Sequence, residues 1–146
     1  MVDFHGVPLT CINTAAQTYK VPADLIMAII TVEGGKNGLA MRNHNGTKDY
    51  GVMQINSCWL PSMHQKGYTL DQIRNDPCIN VDMGASILSQ NLIDDKDLGK
   101  AIGNYHSHTP LLNAEYALEV VTAYGIIHKT LAPKLSPSCL ENGLIC

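Results

Sequence analysis

The chain has no excess of positive charge. Ten Lys and Arg stand against thirteen Asp and Glu, a net charge of −3. That balance argues against nucleic acid and against an anionic membrane surface as the partner. No apolar stretch approaches the ~20 residues that cross a bilayer as a helix. The five cysteines, Cys11, Cys58, Cys78, Cys139 and Cys146, form no C-x-x-C pair that would suggest a zinc site. The N-terminal M-V-D-F-H-G has neither a basic region nor an apolar core of the secretory kind. There is no internal repeat and no low-complexity segment. Charged residues are scarce as well, at 16%, against 45% apolar. This is the composition of a globular domain, and 146 residues are enough for one adequate core.

Five cysteines are many for a cytosolic chain of this size. They fit disulfides formed in an oxidising compartment, so a periplasmic or secreted protein is expected. The start then reads as a mature N-terminus with an added Met, its signal peptide absent. An odd count leaves at least one thiol free or paired between chains.

The chain is organised around Val21–Asn56. Pro22 suits a first helical turn, where its missing N–H costs nothing. Asp24 favours the positive end of the helix dipole. Leu25, Ile26, Ala28, Ile29, Ile30 and Val32 make the helix apolar on nearly all sides, hence buried. Gly34 and Gly35 stop it, so Glu33 falls at its last turn. A carboxylate there meets apolar neighbours and the negative end of the dipole. Both raise its pKa, as a general acid near neutral pH requires. Taken alone, a solvated Glu at a frayed helix end is the commoner situation.

Around this core the expected order is helical. A first amphipathic helix covers Leu9 to Lys20. After the Glu33 helix comes a loop with Asn45-Gly46, a hairpin-turn signal, and then a short buried strand-like run of Val52, Met53 and Ile55. Short helices follow at Trp59 to Lys66 and Thr69 to Asn75, and Asp76-Pro77 breaks the chain. Further helices are expected from Cys78 to about Ile93, from Leu98 to Tyr105 and from Leu111 to Leu131. In the first of these Gly84-Ala85 would let another backbone approach. In the last helix Leu112, Tyr116, Val120, Tyr124, Ile127 and Leu131 share one face. The expected division is a domain over 1–132 and an extended tail over 133–146.

Three motifs in this order resemble the lysozyme-like superfamily, and within it lytic transglycosylases of the soluble-lytic-transglycosylase type. The likeness is to the small branch attached to secretion and pilus systems. The motifs are A-I-I-T-V-E-G-G ending near Glu33, G-V-M-Q-I-N from Gly51 to Asn56, and A-I-G-N-Y-H-S from Ala101 to Ser107; D-P-C-x-N-V, Asp76 to Val81, adds to them. The resemblance spans about Cys11 to Leu131. It implies a mostly α (α+β) fold, a single lysozyme-like domain with a minor β-hairpin beside the cleft. It implies peptidoglycan as substrate, cleaved between N-acetylmuramic acid and N-acetylglucosamine with 1,6-anhydro ends and no cofactor. Secretion or pilus assembly proteins are the implied partners. It also implies a Cys11–Cys78 disulfide, because family cysteines recur at both places. The chain departs from the family at Gly34, where Ser is common, and at His106, where Asn is common.

A second resemblance competes. R-N-H-N-G-T-K-D-Y-G-V-M-Q-I-N-S-C-W looks like the matching stretch of animal-type lysozymes, in which the Asp at the Asp49 position is the second catalytic carboxylate. Asp49 is therefore either that carboxylate, giving a lysozyme-type hydrolase, or a structural Asp bonding loop N–H groups. A third reading, an inactive peptidoglycan-binding or scaffold module, would be expected to lack an acid at position 33.

The remaining site residues follow from the motifs. Gln54 offers an amide to substrate acetamido groups or is satisfied by backbone. Met53 is a wall of the sugar site or plain core. Tyr105 bonds Glu33 or the sugar, a reading the motif favours over a core Tyr with its hydroxyl at the surface. Tyr50 and Trp59 could stack on sugar faces, and core packing is at least as good a reading for Trp59. His106 and His108 lack a carboxylate or Cys at metal-ligand spacing and belong to a polar rim. Asn56 reads as structural.

Overall fold

The computed structural model describes residues 3–131. It is mostly helical, with two small antiparallel sheets. The first sheet pairs β1, Asp3–Phe4, with β2, Val7–Pro8, through His5 and Gly6, both at positive φ. This hairpin was not expected; its strands are too short to show a period.

Helix α1, Leu9–Tyr19, buries Ile12, Ala15 and Ala16. Helix α2, Ala23–Glu33, buries seven consecutive-face residues including Leu25, Ile26, Met27, Ile29 and Ile30. Pro22 lies one residue outside it, extended, with ψ 135°, as the N-cap. Gly34 ends it at φ 63°, where its N–H donates to the Ile30 carbonyl. Asp24 in the first turn meets His128 Nδ1 at 2.8 Å.

The second sheet has the order β3, Ala40–Arg42, then β4, Lys48–Tyr50, then β5, Ile55–Asn56. Its register puts Asp49 opposite Met41 on one side and Asn56 on the other. The Asn45-Gly46 turn joins β3 to β4, with Gly46 at φ 85°. The strand-like run expected over Val52–Ile55 is instead mostly a tight turn. Gly51 at φ 71° and Gln54 at φ 52° curl the chain back on itself, so that only Ile55–Asn56 pairs.

A 3-10 turn, Ser57–Trp59, leads into α3, Leu60–Gln65, and α4, Leu70–Asn75. Thr69 and Gln72 cap α4 reciprocally. Helix α5, Pro77–Asp94, is capped by the Asp76 carboxylate, which accepts from the N–H groups of Cys78 and Ile79. It packs on α1, α4 and the short α6, Leu98–Gly103. Helix α7, Pro110–Leu131, packs on α2 and α6. Its buried face carries Asn113, Tyr116, Ala117 and Val120, the i, i+3, i+4, i+7 series. Leu112, expected on that face, is 46% exposed because the stripe is turned by one residue. Among the described residues no helix is long and apolar enough to cross a membrane.

Cys11 on α1 is bonded to Cys78 at the start of α5, with Cα atoms 5.3 Å apart. Cys58 is an exposed free thiol, and Cys139 and Cys146 lie outside the described residues, as does the tail. The disulfide closes a sequence separation of 67 residues. In the chain-entropy view it stabilises by about 4 kcal/mol. A Cys11→Ser/Cys78→Ser variant should lose stability of that order in urea unfolding. Peptide mapping without reduction should recover the Cys11–Cys78 fragment.

Candidate active site

Glu33, at the end of α2, opens into a cleft of about 360 Å³. The opposite wall is the β-sheet side, with Asn43, Thr47, Asp49, Gln54 and Asn56. The third side is the segment after α6, from Asn104 to His108. Apart from Glu33 and Asp49 the lining is amides, hydroxyls, histidines and apolar groups; it contains no Lys or Arg. Such a surface suits a neutral, hydrogen-bonding ligand.

Burial pushes the Glu33 carboxyl up to about 7, from an ordinary 4.5. The negative charges of Asp49 and Glu119 add to the rise, and a hydrogen bond from Tyr116 opposes it. In that bond the Tyr116 hydroxyl donates to Glu33 Oε2 at 2.6 Å. Tyr116 comes from α7, 83 residues away, and was not foreseen as a site residue. Its signal in the sequence was a tyrosine on the apolar face of a long helix, since a buried phenol needs a partner for its hydroxyl.

Asp49 sits in the middle strand of the second sheet. Its Oδ2 accepts from Asn43 Nδ2 at 3.1 Å and its Oδ1 from Asn56 Nδ2 at 2.8 Å. Its partners are thus side-chain amides of the two neighbouring segments. Asn56 is structural in a further way, because its Oδ1 caps the 3-10 turn through the Cys58 N–H.

Gln54 lines the cleft, and its Nε2 donates to the Gly51 carbonyl at 2.9 Å. Tyr105 also lines it, but its hydroxyl goes to the Met53 carbonyl at 2.9 Å rather than to Glu33. His106 lines the rim, and its ring stacks on Tyr116 at 5.0 Å between centroids. Trp59 and His108 are on the rim too. Met53 and Tyr50 are not among the lining residues. Met53 has no exposed surface and Tyr50 is buried, so the structure places both in the floor beneath the cleft. The reason is the turn at 51–54, which points Met53 inward onto α5. There the glycine at position 84 makes room: a Cβ on it would lie 2.5 Å from Met53 Sδ and 3.0 Å from Tyr105 Oη. Gly84 thus admits two side chains, where a backbone had been expected.

The pairing of a shielded carboxyl on a helix end with a polar wall carrying the G-V-M-Q-I-N turn has known parallels. The family described as Transglycosylase SLT domain matches residues 10–124. The chain belongs to that family. Among curated proteins it is 33% identical over 100 residues to Protein IpgF of Shigella sonnei, covering 68% of this chain and 66% of that one. It is 34% identical over 100 residues to Invasion protein IagB of Salmonella typhimurium, covering 68% and 62%. A Peptidoglycan-binding-like protein of Escherichia coli O157:H7 is 27% identical over 130 residues, covering 83% and 77%. The matched part spans just under two thirds of the length of IpgF and IagB.

The shifted Glu33 has a consequence for stability. The folded chain holds this proton to a higher pH than the unfolded chain does. The group therefore favours folding most at low pH, and that contribution is lost as pH rises from about 4.5 to about 7. Glu33→Gln removes the buried charge and keeps an acceptor for Tyr116. At pH 8 the variant should be more stable than the native protein in urea unfolding, by up to about 3 kcal/mol. The gain should vanish near pH 4.

Proposed function

We propose that this chain is a peptidoglycan lytic transglycosylase that cleaves the bond between N-acetylmuramic acid and N-acetylglucosamine. The observation that carries this reading is Glu33 itself: one carboxyl, shielded from water, oriented by Tyr116, with a pKa near neutrality and open to a cleft. Membership in the SLT family supports the same reading.

The chemistry needs only that one carboxyl. Protonated Glu33 gives its proton to the glycosidic oxygen as the bond from that oxygen to the anomeric carbon breaks. The substrate's own acetamido oxygen stabilises the cationic carbon, a substrate-assisted route. Glu33, now a carboxylate, takes the proton from the muramyl C6 hydroxyl. The C6 oxygen closes on the anomeric carbon to give a 1,6-anhydro ring. The proton borrowed in the first step is regained in the second, and no water is consumed. In this reading Gln54 and the Asn104–His108 segment, which line the cleft, bind the sugar amides, and Tyr116 keeps the carboxyl oxygen aimed.

One observation favours a second reading. Asp49 is a second carboxyl group in the cleft, held by two side-chain amides on the wall facing Glu33. In a lysozyme-type hydrolase that carboxylate would stabilise or attack the anomeric carbon, and water would complete the reaction. The present reading treats Asp49 as the anchor of the sheet wall and as a charge that helps Glu33 keep its proton. An inactive binding module is disfavoured by the presence and setting of Glu33.

The working place is periplasmic or secreted, where peptidoglycan and disulfides are found together. The net charge of −3 gives no general attraction to an anionic wall, which suits an enzyme delivered locally by a partner. A relative named an invasion protein supports secretion-system or pilus assembly proteins as that partner.

Digestion of purified peptidoglycan, followed by mass spectrometry, tests this reading. Anhydro-muramyl ends, lighter than reducing ends by one water, are expected. Glu33→Gln should reduce turnover by roughly a hundred- to ten-thousand-fold. Asp49→Asn should cost far less. Reducing ends alone, with Asp49→Asn as inactive as Glu33→Gln, would establish the hydrolase instead.

A further inference from the structure

Among the described residues two side-chain amides are buried, Asn80 and Asn113. Neither touches the cleft. Asn80 is the polar member of the Asp76–Val81 run, which no step of the chemistry uses. Asp76 caps α5, Pro77 begins it, Cys78 holds the disulfide, and one turn in, Asn80 points at the floor of the site.

Its amide is spent on three backbone groups. Oδ1 accepts from the Met53 N–H at 2.9 Å. Nδ2 donates to the Tyr50 carbonyl at 2.8 Å and to the Ile73 carbonyl at 2.9 Å. Both amide hydrogens and the carbonyl oxygen are used, which no other side chain of this size can do. One of these partners, Tyr50, immediately precedes the turn at 51–54, and another, Met53, lies inside it. The third fixes that turn to the end of α4. Gly51 passes so close that a Cβ there would collide with the Asn80 amide.

The turn needs such support. Gln54 is a non-glycine residue at φ 52°, a strained conformation that persists only when the surroundings hold it. Met53 is tied at both ends, its N–H by Asn80 and its carbonyl by Tyr105. On its other side the turn lies against the end of α2. A Cβ at Gly35 would collide with the Gly51 carbonyl and sit 3.1 Å from Gln54 Cγ. The contacts thus run from Asn80 through the turn to the residues just after Glu33.

We infer that Asn80 is a positioning residue of the site, which clamps the 51–54 turn against the end of α2 and thereby keeps water from Glu33. The inference rests on Glu33 as the acid and is indifferent to which product forms. Without the amide, two carbonyls and one N–H would be buried unpaired, and the turn would move outward to reach water. Glu33 would be hydrated and Asp49, next to the turn, would shift away. Both changes lower the pH at which Glu33 loses its proton.

The test reads Glu33 directly, by carbon NMR titration of its side-chain carboxyl in the full chain. The native midpoint is expected at about 7. Asn80→Ala should lower it by at least about one pH unit. Ile12→Ala, a core truncation on α1 at a residue that does not line the cleft, should destabilise the protein and leave the midpoint where it was. If Asn80→Ala does not fold, Asn80→Ser, which keeps one donor, is read in the same way. A folded Asn80 variant with the native midpoint would overturn the inference. So would a shift of equal size in Ile12→Ala, which would reduce Asn80 to a general stabiliser. A native midpoint near 4.5 would instead remove the acid on which both this inference and the proposed function stand. A native midpoint near 7 together with an absence of peptidoglycan cleavage would overturn the function and leave the role of Asn80 intact.

Discussion

Everything about the site depends on keeping one carboxyl group out of water at the end of an apolar helix. Helix α2 is buried on nearly every side, and burial is the largest cause of the high pKa of Glu33. A lone buried carboxylate would be expensive. The Tyr116 hydroxyl lowers that cost and fixes the direction of one oxygen. Glu33 therefore weakens the folded state above neutrality. On the proposed reading, stability is given up at the place where the chemistry needs a protonated acid.

The rest of the fold serves that arrangement. Helix α7 carries Tyr116 across the back of α2, and its Asn113 donates to the carbonyls of Lys100 and Ser107, which hold the segment bearing Tyr105 and His106. Helix α5 carries Asn80 and, one turn later, Gly84, which between them receive Met53 from below. The Cys11–Cys78 bond pins the first turn of α5, only two residues from Asn80. The sheet wall is set by amides, with Asn43 and Asn56 reaching Asp49 from either side. Glu33, Asp49 and Asn56 are presented by a helix and strands, while the other polar lining groups sit in turns and connections that these side-chain bonds hold in place.

Much of this was legible in the sequence, because it is local. The helices announce themselves through apolar period and through Pro and Gly at their ends; α1 and α2 fall within a residue or two of their expected bounds. Glu33 followed from two glycines and an apolar run, and the Cys11–Cys78 pairing from resemblance. What could not be read is contact between distant elements. The Tyr116–Glu33 bond joins residues 83 apart, and the Asn80 bonds to Tyr50 and Met53 join residues 30 and 27 apart. A period places a residue on a face but does not say what faces it. The 51–54 turn was misread as strand because three apolar residues hide two left-handed positions, Gly51 and Gln54. Met53 went beneath the cleft for the same reason, and Tyr50 because it follows the cleft-facing Asp49 in β4 and so takes the opposite face.

The central claim is that Glu33 acts as an acid that must be protonated to start the reaction. The pH dependence of kcat/KM for peptidoglycan cleavage measures this most directly. Activity should fall as pH rises, through a single ionisation centred at about 7. A profile that falls instead around 4.5, or that stays flat through pH 8, would contradict it.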